Sequence, residues 1–378
     1  MEPHEELLDW ATSQGVKLNG IAPKRIPGRG IGLVATRKIK SGETVLEIPT
    51  CCLRSIDTVR KPIIRHLPKS ISIHGLLAAD LALDASSKYS AWNAVYPTPE
   101  DFLSIPLLWP SELCALLPLE ARDLLSKQEA KLKRDWAAVS SAFPEHQKRN
   151  LDEARYRYAW LLVNTRTFYY VNTKLKRRPE EDRMCLQPVA DLFNHDSEGC
   201  HVAFDTAGFS IKTTQAYKVG DELKISYGKH SGDFLLAEYG FVMDDNHWDE
   251  VRLDDVLLPK LSSRQKEMLE EARFLGKYVV DKHTDCHRTQ VAVRLLCCGF
   301  REWKRFVDGI DDGERSQRAA DNLVLELLKE QRQLAEKRIS EAEALAIGNQ
   351  QQREILIKRW RQIQDLVDTR IEDLEESN

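Results

Sequence analysis

Two short stretches decide how this sequence is interpreted: Pro188-Val-Ala-Asp-Leu-Phe-Asn-His-Asp196 and Gly220-Asp-Glu-Leu-Lys-Ile-Ser-Tyr-Gly228. In the first, Asp191, Asn194 and His195 form a polar interruption of an apolar run, which by itself is typical of a turn that caps a strand. The second follows a Gly-Asp turn, reads as a short strand and ends with a tyrosine beside a glycine. A tyrosine in that position usually packs as a half-buried aromatic side chain. Taken singly, each stretch indicates only structure.

A third stretch, Pro27-Gly-Arg-Gly-Ile-Gly-Leu33, carries glycines at 28, 30 and 32. A dinucleotide-binding loop requires G-x-G-x-x-G followed by a helix, because the phosphate meets the helix N-terminus. Here the spacing differs and strand-forming residues follow, so we reject that interpretation. Glycines before a strand allow a ligand to approach the backbone closely, although alone they more often mark a bulge or turn.

Metal and hydrolase chemistry find little support in the same region. A zinc site through His195, Cys200 and His201 lacks a fourth ligand with convincing spacing. No G-x-S-x-G elbow marks a nucleophile for a hydrolase triad. We therefore predict no metal.

Composition excludes several classes of protein. The chain has 378 residues, of which 42% are hydrophobic and 30% charged, with a net charge of −4. That near-neutral balance argues against a dedicated nucleic-acid binder. No stretch approaches the roughly 18–20 apolar residues of a membrane helix, and the acidic N-terminus lacks the basic region of a signal peptide. We expect a cytoplasmic or nuclear protein, or one in both compartments, with no direct binding of nucleic acid or membrane.

The chain alternates between strand-forming and helical regions. Strand runs surround the Ser41-Gly42 turn, at 31–36 and 44–48, and return between 201 and 227. Residues from about 57 to 180 are mainly helical, with apolar spacing at 73–83 and 151–168. After about 246 the sequence is almost entirely helical, and Gly348-Asn349 separates two long helices that we read as an antiparallel pair. The predicted class is α+β, with a strand-rich core, a helical insert and an all-α C-terminal domain.

Taken together and in order, the three stretches resemble the SET-domain methyltransferases. The insert and the helical C-terminus are similar to one subgroup, the Rubisco large-subunit methyltransferase-like proteins, which includes ribosomal-protein, elongation-factor and actin-histidine methyltransferases. The resemblance implies a SET domain over 1–245, with its insert at about 57–184, and a helical substrate-binding domain over 246–378. It also implies a pseudoknot, in which the chain threads beneath itself near Asn194.

The resemblance assigns roles residue by residue. The cofactor, S-adenosyl-L-methionine, would be held by the following residues: Arg29, Gly30, Ile31, Thr165, Arg166, Asn194, His195 and Tyr227. The catalytic residue would be Tyr227. The substrate channel would be lined by Asp191, Phe168, Tyr239 and Phe241. The family often has Ser-Asn after the loop of the catalytic tyrosine, whereas this chain has Ser231-Gly232, which puts one local hydrogen bond in question.

The implied activity is S-adenosylmethionine-dependent N-methylation of a protein lysine, with S-adenosyl-L-homocysteine as the product. By resemblance alone, the leading substrates are ribosomal proteins and translation factors. Two alternatives stay open: methylation of a protein histidine, and a catalytically idle module that only binds a partner. We expect a monomer that docks its protein substrate on the C-terminal helical domain and in a groove between the lobes.

Overall fold

The structure is a computed structural model that describes residues 2–143 and 151–377. The chain divides into two compact units. Met1–Phe102 and Lys127–Lys229 form the first, called here the strand-rich unit; Leu103–Ser126 and His230–Asn378 form the second, called the helical unit. This division differs from the predicted domain limits of 1–245 and 246–378, which remain a prediction.

The strands of the described residues, in chain order, are β1 Lys17–Leu18, β2 Ile21–Ile26, β3 Gly30–Ala35, β4 Thr44–Pro49, β5 Thr167–Tyr169, β6 Met184–Leu186, β7 Asn194–Phe204, β8 Gly208–Lys212, β9 Glu222–Ile225, β10 Val251–Arg252 and β11 Val279–Val280. The helices are α1 Pro3–Ser13, α2 Lys61–His66, α3 Ile73–Ala82, α4 Ser90–Asn93, α5 Ser111–Cys114, α6 Leu119–Ala142, α7 Glu153–Arg166, α8 Gly232–Tyr239, α9 Asp254–Leu257, α10 Ser263–Glu271, α11 His287–Cys297, α12 Phe300–Val307, α13 Glu314–Ala344 and α14 Gln350–Ser377.

One mixed sheet organises the strand-rich unit, with strand order β1-β4-β8-β7-β9-β3-β2. Its neighbouring strands pair antiparallel except β7 and β9, which are parallel. The hairpin of β2 and β3 turns through Pro27–Arg29. Gly28 in the turn and Gly30 at the start of β3 adopt φ values of +72° and +75°, which favour glycine. This hairpin brings the start of β3 to the end of the sheet at which β7 begins.

Helix α7 is a predicted element that the structure shortens. The expected helix at 151–168 begins after Asp152, whose side chain accepts a hydrogen bond from the Arg155 N–H, and ends at Arg166. Residues 167–169 instead form β5, which pairs with β6. Pairing with a distant strand overrides the local helical spacing, and it moves Phe168 from a helix to a strand.

The helical unit is built around the predicted antiparallel pair, which is confirmed as α13 and α14. Ion pairs join them in antiparallel order: Lys329–Glu375, Arg332–Asp368 and Arg361–Glu343. A buried apolar core that includes Trp360 and Val324 extends to residues 109–125. The Trp360 Nε1–H also donates to the Leu116 carbonyl at 2.8 Å. These contacts explain why residues 103–126 belong to this unit although they lie within the predicted insert.

The α+β class is thus confirmed, with one departure. The C-terminal region contains the small two-stranded sheet of β10 and β11 among its helices.

Candidate active site

Three strands bring the motif residues of the strand-rich unit together. Asn194 is the first residue of β7 and lies opposite Lys224 of β9, and His195 lies opposite Ile225. On the other side of β9, Leu33 of β3 pairs with Leu223. The chain leaves β9 at Ile225 and reaches Tyr227 two residues later. Segments that are far apart in sequence therefore meet at one end of three neighbouring central strands.

Both the backbone and the side chain of Tyr227 form hydrogen bonds to residues at the start of β7. Its backbone N–H donates to His195 Nδ1 at 3.0 Å, and its hydroxyl donates to the Phe193 carbonyl at 2.7 Å. The rings of Tyr227 and His195 lie 5.0 Å apart between centroids. Burial raises the pKa of the Tyr227 hydroxyl to about 12. The phenol is therefore protonated at neutral pH and acts as a hydrogen-bond donor.

Asp191 lies three residues before β7 and is buried. Its Oδ2 accepts from the Trp92 indole N–H at 2.8 Å, and its backbone carbonyl accepts from Arg166 Nη1 at 2.5 Å. Burial raises the pKa of the carboxyl to about 6, although Arg166 and the Trp92 hydrogen bond act to lower it.

Two residues before Asp191, Val189 is fully buried at φ +68°, a conformation that is rare for a β-branched residue. Such strain costs about 1–3 kcal/mol and clusters at functional sites.

Glu222 joins the glycine-rich hairpin to β7. Its Oε1 accepts from Asn194 Nδ2 at 2.6 Å, and its Oε2 accepts from Arg29 Nη1 at 3.3 Å. Gly32 lies against this pair, since a Cβ there would come within 2.8 Å of Glu222 Oε1 and 2.9 Å of Asn194 Nδ2. The structure thus links Arg29, Asn194 and Glu222 into one cluster.

Two buried polar atoms near Tyr227 fit a polar ligand such as the implied S-adenosylmethionine. Arg166 Nε and Asp191 Oδ1 are buried and have no hydrogen-bond partner among the described residues. Leaving such an atom unpaired costs about 1–3 kcal/mol. Polar atoms of a bound molecule, or of water, would satisfy them.

The remaining predicted residues are placed as follows. The Thr165 hydroxyl donates to the Leu161 carbonyl of its own helix at 2.8 Å. Phe168 lies in β5 opposite Cys185 and meets the Phe209 ring edge-on at 6.5 Å. Gly30 and Ile31 begin β3.

Tyr239 and Phe241 belong to the helical unit. Their ring centroids lie 6.1 Å apart on either side of Gly240, which ends α8 with φ +75°.

Sequence reasoning missed two residues that the structure ties to this cluster. Glu222 lies inside the second quoted stretch but received no role, because a glutamate in a strand is usually a solvated side chain. Trp92 lies in the helical insert, where nothing in the sequence relates it to Asp191. A motif position could have indicated Glu222, whereas only the fold indicates Trp92.

Comparison with known proteins identifies the family. The SET domain model matches residues 30–228, which is more than half of the chain. The chain belongs to the SET-domain family. A second model, the ribosomal lysine N-methyltransferase 2 C-terminal domain, matches residues 249–373.

Relatives of this SET-domain protein match most of its length at low identity. Ribosomal lysine N-methyltransferase set11 of Schizosaccharomyces pombe is 25% identical over 343 residues, covering 86% of each chain. SET domain-containing protein 4 of Homo sapiens is 24% identical over 330 residues, covering 80% of this chain and 75% of that one.

Among solved structures, Rubisco LSMT bound to sinefungin and monomethyllysine is similar with a TM-score of 0.67. It is 16% identical, and the match covers 100% of this chain and 92% of that one. At this identity the likeness shows a shared fold.

Residues 2–143 and 151–377 contain neither a candidate metal site nor a membrane-spanning helix. No group of three or more His, Cys, Asp or Glu side chains there could hold a metal ion. None of the helices described there is long and apolar enough to cross a membrane.

Proposed function

We propose that this SET-domain protein is an S-adenosylmethionine-dependent protein-lysine N-methyltransferase. The observation that carries the proposal is the hydrogen-bonded arrangement of Tyr227 with Phe193 and His195, beside the Asn194–Glu222 pair. The name of the set11 relative and the name of the C-terminal domain model support a ribosomal protein as the substrate, and lysine as the target.

The methyl donor would be bound by residues of the strand-rich unit. When bound, S-adenosylmethionine supplies a methyl group on a positively charged sulfur and leaves as S-adenosylhomocysteine. We assign its binding to the cluster described above and to α7, through these residues: Arg29, Gly30, Ile31, Thr165, Arg166, Asn194, His195 and Tyr227. Asp191 would border the channel for the target side chain, with its position held by Trp92 and Arg166.

The target lysine must lose a proton before it can attack. A free lysine has a pKa of about 10.4 and is mostly protonated at neutral pH. Aromatic walls, which we assign to Phe168, Tyr239 and Phe241, would desolvate the amine and lower its pKa. Tyr227 cannot serve as the base at neutral pH, because burial raises the pKa of its own hydroxyl to about 12. Its role is to orient the nitrogen, while the proton leaves through water.

The division of labour between the domains is part of the proposal. Residues 1–245 would form the SET domain with its insert at about 57–184, and 246–378 would select the protein substrate. The match of 249–373 to a lysine methyltransferase C-terminal domain supports this. The monomeric state, the cytoplasmic or nuclear location and the interlobe part of the docking surface stay predictions.

The decisive experiment incubates the purified protein with isotopically labelled S-adenosylmethionine and a ribosomal protein fraction, followed by peptide mass spectrometry. We expect label on a lysine side chain with the wild type and none with Y227F. Label on a histidine would replace the lysine proposal with the histidine alternative. Binding of the donor, measured by calorimetry, without any transfer would indicate the idle binding module.

Substrate docking has a separate test. The Y227F protein should be chemically cross-linked to the protein that the wild type methylates. We expect the cross-links to be concentrated in residues 249–373. Cross-links confined to the strand-rich unit would contradict docking on the helical domain.

A further inference from the structure

Glu222 is a carboxylate that the proposed mechanism does not yet use, although it contacts two residues of the donor site. Its side chain is only 15% exposed. We propose that Glu222 is a positioning residue, which orients the Asn194 carboxamide so that its Oδ1 accepts a hydrogen bond from the ammonium group of the methyl donor. This inference rests on the proposed function, because it assumes that the site binds S-adenosylmethionine.

The chemistry of the pair determines the orientation of the amide. An ionised carboxylate only accepts hydrogen bonds, whereas a carboxamide has one donating and one accepting end. The 2.6 Å contact with Glu222 Oε1 must therefore be made by the Asn194 NH₂ group. The amide oxygen then points away from Glu222, and it has no hydrogen-bond partner among the described residues.

Packing confines Glu222 to this position. Gly32 lies directly against the pair, and a Cβ at that residue would come within 2.9 Å of Asn194 Nδ2. The same Cβ would lie 2.9 Å from Ile26 Cγ1, so the hairpin leaves room for the pair only because residue 32 is glycine. The carboxylate and the amide are thus held in register by the backbone of β3.

Charge determines which group of the ligand donates a hydrogen bond to Asn194 Oδ1. The hydrogen-bond donors of S-adenosylmethionine are its ammonium, its ribose hydroxyls and its adenine amino group. A negative charge behind the amide favours the positively charged donor, the ammonium. Arg29 offsets this charge weakly, because its contact with Glu222 is 3.3 Å long and its side chain is 52% exposed.

Ligand binding separates this role from a purely structural one. S-adenosylhomocysteine carries the ammonium, whereas 5′-methylthioadenosine has the same nucleoside without the amino-acid part. A hydrogen bond to a charged group contributes about 1.5–3 kcal/mol. In E222A we expect calorimetry to show S-adenosylhomocysteine binding weakened about 10- to 100-fold, with methylthioadenosine binding unchanged within about twofold. E222Q can still accept a hydrogen bond from Asn194 but lacks the negative charge, so its S-adenosylhomocysteine affinity should fall less than that of E222A and still lie below that of the wild type.

The chain offers a matched control in the neighbouring ion pair. Asp196 Oδ2 and Lys224 Nζ lie 2.8 Å apart and join the same two strands, β7 and β9, two residues further along each. D196N should leave the binding of both ligands unchanged. If E222A does not fold, E222Q decides alone: its S-adenosylhomocysteine affinity must fall more than its methylthioadenosine affinity.

The outcomes are distinct. Equal losses for both ligands, or no loss for either, would overturn the positioning role of Glu222. A wild-type protein that binds neither ligand would overturn the proposed function itself.

Discussion

Replacing Arg359 with methionine should destabilise the helical unit far more than the same change at its neighbour Lys358. Arg359 lies on α14 and its side chain is fully buried. Its Nε and Nη1 lie 2.6 Å from Asp233 Oδ1 and from Asp249 Oδ2 respectively. Lys358, one residue earlier, pairs with Asp244 where both side chains are exposed, at 46% and 88%.

The two ion pairs predict very different losses. Removing one partner of a buried pair leaves an uncompensated charge and costs about 3–5 kcal/mol. An exposed pair contributes about 0.2–1 kcal/mol. R359M should therefore lower the free energy of unfolding by about 3–5 kcal/mol and the melting temperature by about 6–20 °C. K358M should lower the free energy of unfolding by less than about 1 kcal/mol.

The loss in R359M should depend on pH in a defined direction. Burial raises the pKa of Asp233 to about 6, and Arg359 is the main group that lowers it. Without Arg359 this pKa rises further above its unfolded value of about 3.9. The folded variant then takes up a proton more readily than the unfolded chain, so its stability recovers as pH falls below that raised pKa.

Urea unfolding followed by far-UV circular dichroism at pH 8 and pH 5 tests this reasoning. The R359M loss should be smaller at pH 5, with no such change in K358M. Equal losses in the two variants, or a larger R359M loss at pH 5, would refute the assignment of a buried, charged Asp233.

Three further outcomes are expected. Y227F should lower kcat by at least about 100-fold, because it removes the hydroxyl that orients the amine, and should leave the S-adenosylhomocysteine affinity within about twofold; near-normal turnover would remove Tyr227 from the mechanism. D191N should make the free energy of unfolding less dependent on pH: the pKa of Asp191 is about 6 when folded, so wild-type stability gains about 1 kcal/mol between pH 7.5 and pH 5 that the variant lacks. An undiminished pH dependence would contradict a buried, titrating Asp191. Y239F should raise the number of methyl groups added to the target, since it removes a hydroxyl from the proposed channel, and mass spectrometry showing an unchanged product distribution would count against that assignment.

Turn chemistry located two strands in the sequence but did not indicate which strands they pair with. The runs predicted at 31–36 and 44–48 agree with β3 and β4 to within a residue, and Ser41-Gly42 lies between them. The two strands do not pair with each other, because β3 lies between β2 and β9 whereas β4 lies between β1 and β8. The end of α7 could not be predicted in the same way. Phe168 leaves the helix to pair with Cys185, a partner whose position depends on the folded chain.

The candidate site, too, could be predicted from the sequence only in part. Motif order indicated Asn194, His195 and Tyr227, and the structure brings these three together. Two contacts around the site come from side chains to which the sequence assigned no role. Trp92 donates a hydrogen bond to Asp191 across 99 residues, and Glu222 accepts one from Asn194 across 28. Such partners are chosen by the topology of the sheet and by the shape of the insert.

The place of β3 in the sheet has a consequence for how the protein is made. β3 pairs with β9, and Leu33, which is fully buried, lies opposite Leu223. A ribosome adds about 5–20 residues per second, so the first hairpin is synthesised roughly 10–40 s before the strand that covers its inner edge. During that interval the nascent chain exposes an unpaired apolar strand, which is a template for aggregation. Holding factors at the ribosome exit would protect this edge until translation has passed residue 225.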